Sequence, residues 1–273
     1  MNELTIICCY NDLAMLNAFV IKSLEKQSEK YNLLLIEAAK YGFKSAAEAY
    51  NSVLDNPSKF GFKISEHLLF MHQDIFLCED DFLMNINAVL ENHPNDVIGL
   101  AGKNNDGRVY SNLRYKSNND FITSTQITDI TECISLDECC FAMTYSLWKR
   151  VRFDEYVCNH WHLYSVEFCY NAKKLLNSKI LVVPFYAYHK ENDEIGLYTD
   201  NHFITSMSRL IVKHRDSSSI IYSPCYTVST SRGKSFFRLT KSRVVNLLNK
   251  SVIGNGFLRV YYSCRFLFKN ISV

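Results

Sequence analysis

Over its first hundred residues the chain alternates short apolar runs with stretches whose apolar residues recur at helical spacing, and this alternation narrows its possible folds more than any other feature. Leu4 to Tyr10, Asn32 to Ile36, His67 to Met71 and Val97 to Ala101 read as strands, while Ala14 to Leu24, Ser45 to Leu54 and Phe82 to Leu90 read as helices. Strands joined through helices run parallel, and a parallel sheet buries both faces under those helices. The expected fold class is therefore α/β, with a mostly parallel sheet flanked by helices. Ligands of such sheets gather at the carboxyl ends of the strands, so polar residues just after Ile7, Ile36 and Met71 should converge on one crevice. With 273 residues, 48% of them hydrophobic, the chain has enough apolar surface for a sizeable core.

Further along, Asp137 to Met143 opens an apolar segment, Val166 to Leu176 reads as a helix and Lys179 to Val183 as a strand. Pro184 to His189 connects to the acidic Glu191-Asp193-Glu194 stretch, Gly102 to Asp120 reads as a loop, and the Ser-rich 217–231 reads as a linker or a loosely packed crossing. Charge divides the chain at this linker. Residues 217–273 hold nine basic and no acidic residues, so with a net charge of +2 the first 216 carry −7. Two units are expected: a main domain over 1–216 and a basic, aromatic-rich extension over 217–273. Residues 234–249 have the pattern of a basic amphipathic helix, and Phe257 to Phe268 mixes aromatics with Arg259 and Arg265. Such a tail suits an anionic membrane surface; a docked terminal element is the alternative. Nucleic acid is disfavoured as a partner because the acidic body repels a phosphate backbone.

The ten cysteines form no C-x-x-C pair and lie mostly in apolar runs, which reads as buried thiols in a reducing cytosol rather than a zinc site. Residues 1–10 carry no secretory signal, and no apolar run approaches the roughly 20 residues of a spanning helix. The expected location is cytoplasmic, peripheral on the inner face of the cell membrane. G-x-x-x-x-G-K-[ST], G-x-G-x-x-G and G-x-S-x-G are all absent, so P-loop, dinucleotide and common serine-hydrolase chemistries have no support.

The strongest chemical signal is the apolar run Leu68 to Met71 followed at once by His72-Gln73-Asp74. A carboxylate just past a buried strand is costly to desolvate unless a cation meets it, and a divalent ion bridging diphosphate oxygens meets that need. A helix-capping Asp is the plainer alternative. The run Phe70-Met71-His72-Gln73-Asp74-Ile75, together with Ser45 to Asn51, Leu136 to Cys140 and Phe153-Asp154-Glu155, resembles the family 2-like glycosyltransferases of bacterial surface polysaccharide synthesis. The resemblance is to a branch in which the usual D-x-D is written H-Q-D, and it covers roughly residues 4–190. It implies a GT-A fold with a Rossmann-like sheet, a nucleotide-diphosphate sugar donor (UDP-sugar favoured), Mn2+ or Mg2+, and inversion at the anomeric carbon. The acceptor it implies is an oligosaccharide or lipid-linked saccharide. The alternative is a catalytically silent sugar-nucleotide-binding or scaffold protein of the same fold.

By the same resemblance, Cys9, Tyr10 and Asn11 line the base and ribose, and Glu37 stands where relatives place a base-recognising Asp. Asn51 matches an Asn of the helix before the metal strand. Asp74 and His189 hold the metal, His72 is a second ligand or a contact to the diphosphate, and Gln73 belongs with the donor-binding residues. Inverting transfer also needs a base for the acceptor hydroxyl. Asp137 and Glu138, set against the apolar Cys139 to Met143, are the leading candidates, because such surroundings raise a carboxyl pKa. His162 and Glu167 are held in reserve, and Trp161 and Tyr164 are candidates for stacking on a sugar ring.

Overall fold

A computed structural model describes residues 3–116, 119–122, 124–190 and 200–249, without the side chains of 245–249. The acidic 191–194 stretch and the Phe257 to Phe268 segment lie outside the described residues.

Seven strands form the central sheet, in the order Tyr31–Glu37, Leu4–Tyr10, His67–Met71, Cys140–Thr144, Val97–Gly99, Ile180–Val182 and Thr131–Cys133. The Leu4–Tyr10 strand pairs in parallel with both neighbours, while Cys140–Thr144 enters antiparallel beside His67–Met71. Burial on both faces explains the unbroken apolar runs. In His67–Met71, Leu68 and Phe70 enter one core cluster and Leu69 and Met71 the other. The first cluster is covered by helices Ala46–Asp55, Tyr145–Val151, Tyr164–Leu176 and Asn201–His214, the second by the 13–24 helical segment and Phe82–Asn92. Ser45 starts the Ala46–Asp55 helix by accepting from the Glu48 N–H, while the Glu48 carboxylate reaches back to the Lys44 N–H.

The stretch 102–120, expected as loop, contributes strands Val109–Ser111 and Leu113–Tyr115 to two smaller sheets. The polar residues Ser111 and Asn112 that suggested a loop are both buried, Asn112 through bonds to the Ile127 and Pro184 carbonyls. Gly102 sits where one of these sheets crosses the central one. A Cβ there would lie 2.6 Å from Val182 and 2.9 Å from the Ser135 carbonyl, so only glycine permits the approach.

The Ser-rich 217–231, expected as linker, folds as a hairpin of Ile220–Tyr222 and Thr227–Ser229 packed on the body. Ser135 donates to the Tyr222 carbonyl at 2.6 Å and the Tyr222 N–H to the Tyr170 hydroxyl at 2.8 Å. Those serines satisfy turn and backbone groups, which is why their composition imitated a linker. The hairpin leads into helix Arg232–Asn249, whose Ser235, Leu239 and Ser242 face inward while Phe236 and Phe237 are 66% and 77% exposed. No helix among the described residues is long and apolar enough to cross a membrane.

Candidate active site

The His67–Met71 strand ends at His72-Gln73-Asp74, and the chain continues through strand Ile75–Leu77. Strand Ala187–His189 pairs antiparallel with Ile75–Leu77, placing His189 opposite Ile75 and its Nε2 3.5 Å from Asp74 Oδ2. One ligand atom each from His72, Asp74 and His189 lies within 4.8 Å of the others. His72 Nε2 and the Tyr164 hydroxyl share a hydrogen bond at 2.8 Å that orients the ring beside Asp74, with the tautomer setting which of the two donates. Burial holds the His72 pKa below its ordinary value, so the ring stays neutral as a metal ligand requires. Two imidazoles and a carboxylate suit a first-row divalent ion, and the residues present therefore fit a metal.

A cavity of about 440 Å³ opens at the carboxyl ends of the first strands, lined by Cys9, Tyr10, Asn11, His72, Gln73 and Asp74. Its far wall, Ala38, Ala39 and Phe43, follows the second strand. Small residues backed by an aromatic ring make a slot of the kind a flat base enters. Gln73 works on the protein here. Its Oε1 accepts the Asn11 and Asp12 N–H groups at 3.0 and 2.9 Å and its Nε2 donates to Asn11 Oδ1 at 2.7 Å, fixing the loop after the first strand to the metal strand.

A second cavity of about 220 Å³ shares His72, Asp74 and Trp161 with the first and is lined further by Asp137, Glu138, His162 and His189. Asp137 Oδ1 accepts the Cys139 N–H at 3.0 Å, and Oδ2 takes the Cys225 thiol at 3.6 Å. Glu138 accepts the Leu163 N–H, and burial, then the Asp137 charge, push its pKa up to about 8. Leu163 itself sits in the left-handed region at φ 66°, a strained start to the Tyr164–Leu176 helix that Glu138 holds in place. His162 Nε2 lies 2.9 Å from Asp200 Oδ2.

Three of the sequence candidates stand elsewhere. Glu167 is fully buried among Lys213, Asn171 and His214, with its Oε1 on the Lys213 ammonium and on Asn171 at 2.6 Å, so it is a packed ion pair and not an accessible base. Asn51 is buried and spends its amide on the Phe153 carbonyl at 2.9 Å, Glu155 at 2.8 Å and the Trp148 indole at 3.2 Å, which fastens the 153–155 loop instead of facing a donor. Glu37 is exposed and is not among the residues lining the first cavity, but its carboxylate is hydrogen-bonded to Tyr10 at that cavity's wall. The sequence reading missed Phe43 and the hairpin tip Ser223-Pro224-Cys225, which lines the second cavity. Phe43, just past Gly42 after the second strand, carried a positional signal; the hairpin tip carried none.

With this geometry in place, comparison with known proteins defines the class. The profile of the glycosyltransferase-like family matches residues 5–192, and the chain belongs to that family. It has a glycosyltransferase-like domain with a GT-A fold. Among solved structures it is similar to that of GalNAc-T7 with UDP, GalNAc and Mn2+, at a TM-score of 0.55 and 11% identity over 78% of this chain. It spans about half of that protein, 48% of its chain. A structure of A197 from STIV aligns at a TM-score of 0.42 and 15% identity over 70% of this chain and 86% of its own. Comparison with the curated proteins gives no match.

Proposed function

We propose that the chain moves a sugar from a nucleotide-diphosphate sugar to a saccharide acceptor with inversion, and that the donor nucleotide is UDP. The observation that carries this is the meeting of two cavities at His72, Asp74 and Trp161, one suited to a nucleotide and the other holding Asp137. A divalent cation held by His72, Asp74 and His189 would neutralise the diphosphate as it leaves. Tyr10, Asn11 and Phe43 hold the base and ribose, with Gln73 keeping their loop in position. Asp137 takes the proton of the acceptor hydroxyl as that oxygen bonds to the anomeric carbon and the bond to the diphosphate breaks. Glu138 keeps its own proton near neutrality and positions Leu163. The UDP and Mn2+ in the GalNAc-T7 structure support the choice of donor and ion. The two imidazoles also favour Mn2+ over Mg2+, which prefers oxygen donors.

A thermal-shift panel of UDP-, GDP-, CMP- and TDP-sugars with Mn2+ or with EDTA tests this reading. A UDP-sugar is expected to raise the Tm in Mn2+ and to have no effect in EDTA. A shift of equal size in EDTA would remove the metal from the site, and binding with neither transfer nor donor hydrolysis would make the chain a silent sugar-nucleotide-binding protein.

The acceptor in this reading is lipid-linked and met at an anionic, cytoplasmic membrane face in surface polysaccharide synthesis. Support comes from helix Arg232–Asn249, which turns Phe236, Phe237 and Val244 outward beside the exposed Lys234, Lys241 and Arg243. Each basic residue at an anionic surface contributes about 1 kcal/mol, so Lys234→Gln with Lys241→Gln is expected to weaken binding to phosphatidylserine vesicles roughly 30-fold at low salt. Equal sedimentation of variant and parent would exclude this face of the helix.

A further inference from the structure

We propose that the hairpin Ile220–Tyr222 and Thr227–Ser229, which lies beyond the family-matched region, completes the acceptor site and selects a pyranose ring as the group that enters it. The inference rests on the sugar-transfer reading and deepens it.

The second cavity has a mixed lining. Asp137, Glu138 and His162 are polar, whereas Trp161, Phe203 and Pro224 are not. A pyranose has the same division, with hydroxyls around its edge and an apolar C–H face that stacks on aromatic rings. At about 220 Å³ the space is below the usual range for drug-sized ligands and is commensurate with a single sugar ring. Trp161, 38% exposed and shared with the donor cavity, stands where the two substrates would meet.

The hairpin tip is a built wall. Ser223 and Tyr226 exchange backbone hydrogen bonds at 2.9 and 3.1 Å, which puts Pro224 and Cys225 at the centre of a tight turn. The Pro224 carbonyl accepts from Lys103 at 3.5 Å, and the Cys225 thiol donates to Asp137, the proposed base. Behind the tip, the Tyr226 ring packs on Phe203 with centroids 5.7 Å apart and its hydroxyl bonds Ser242 of the following helix at 2.9 Å. A wall pinned at front and back holds one shape, and a fixed shape discriminates between acceptors.

Cys225 is exposed and reports on the pocket. The test is the rate of its alkylation by iodoacetamide in the full-length chain, followed by peptide mass spectrometry, with Mn2+ and UDP present and a panel of methyl pyranosides added. UDP and Mn2+ alone are expected to leave the rate essentially unchanged. At a few times its Kd, a bound pyranoside is expected to slow it by about fourfold or more, as 1 + [L]/Kd requires, and glycerol at equal hydroxyl concentration is expected not to. Cys225→Phe, which adds bulk at an exposed turn, is expected to abolish the pyranoside-induced change in tryptophan fluorescence while UDP still binds. The proposal is overturned if no pyranoside protects Cys225, if UDP and Mn2+ protect it as strongly, or if Cys225→Phe keeps the full response. Absence of metal-dependent UDP binding would instead defeat the sugar-transfer reading itself, so the two failures are told apart.

Discussion

Replacing Asp74 by alanine is expected to abolish the Mn2+-dependent thermal shift with UDP and to lower transfer by more than the ~10²–10³-fold that loss of one electrostatic donor costs. The reason is geometric. Asp74 is the only carboxylate of the three-residue cluster, and the imidazoles of His72 and His189 bring no negative charge to offset a divalent ion. Without that ion the departing diphosphate would lack the counter-charge the three residues are proposed to hold, so a ground-state and a transition-state interaction would disappear together. The fold should survive, because Asp74 is half-buried at a strand end and outside both core clusters. Circular dichroism matching the parent, with no Mn2+ response, is the expected outcome. A variant that still binds UDP tightly only when Mn2+ is present would show that the ion sits elsewhere.

Asp137→Asn is expected to lower kcat by about 10²–10⁴-fold, the range for loss of a positioned general base, with little change in UDP affinity. Glu138→Gln should behave differently, although the two residues are neighbours in one cavity. Burial and the Asp137 charge raise the Glu138 pKa to about 8, so near pH 7 the group already carries a proton, and glutamine reproduces that form. The sign of its effect on stability follows. A carboxyl whose folded pKa lies above its unfolded one stabilises the fold fully at acid pH and loses that contribution as pH rises through about 8. Glu138→Gln should therefore flatten the fall in Tm between about pH 4.5 and about pH 8 in EDTA. If Glu138→Gln lost activity as heavily as Asp137→Asn, the assignment of the base would be reversed.

The first half of the fold was legible because its signals are local. The apolar runs at Leu4 to Tyr10 and His67 to Met71 and the helical spacing of Ala46 to Asp55 depend only on residues near one another in the chain. The strand-end rule then located the cavity side of Cys9, Tyr10, Asn11 and Asp74. What sequence could not show was which polar side chains are used by the protein itself. Asn51, Gln73 and Glu167 have the chemistry of ligand contacts, but each is engaged by partners far away in sequence, at Phe153, Asn11 and Lys213. The hairpin was hidden for a related reason. Its serines imitate a linker, and its place beside Asp137 depends on long-range bonds from Ser135 and Tyr170.

The amide of Gln73 has a thermodynamic corollary. By joining the loop after Tyr10 to the strand end at Asp74, it makes the proposed seat for the base and the proposed seat for the ion parts of one hydrogen-bonded unit. Occupancy at either end then prepays ordering at the other, and linkage requires the help to be mutual: whatever factor Mn2+ adds to nucleotide affinity, the nucleotide returns to Mn2+ in equal measure.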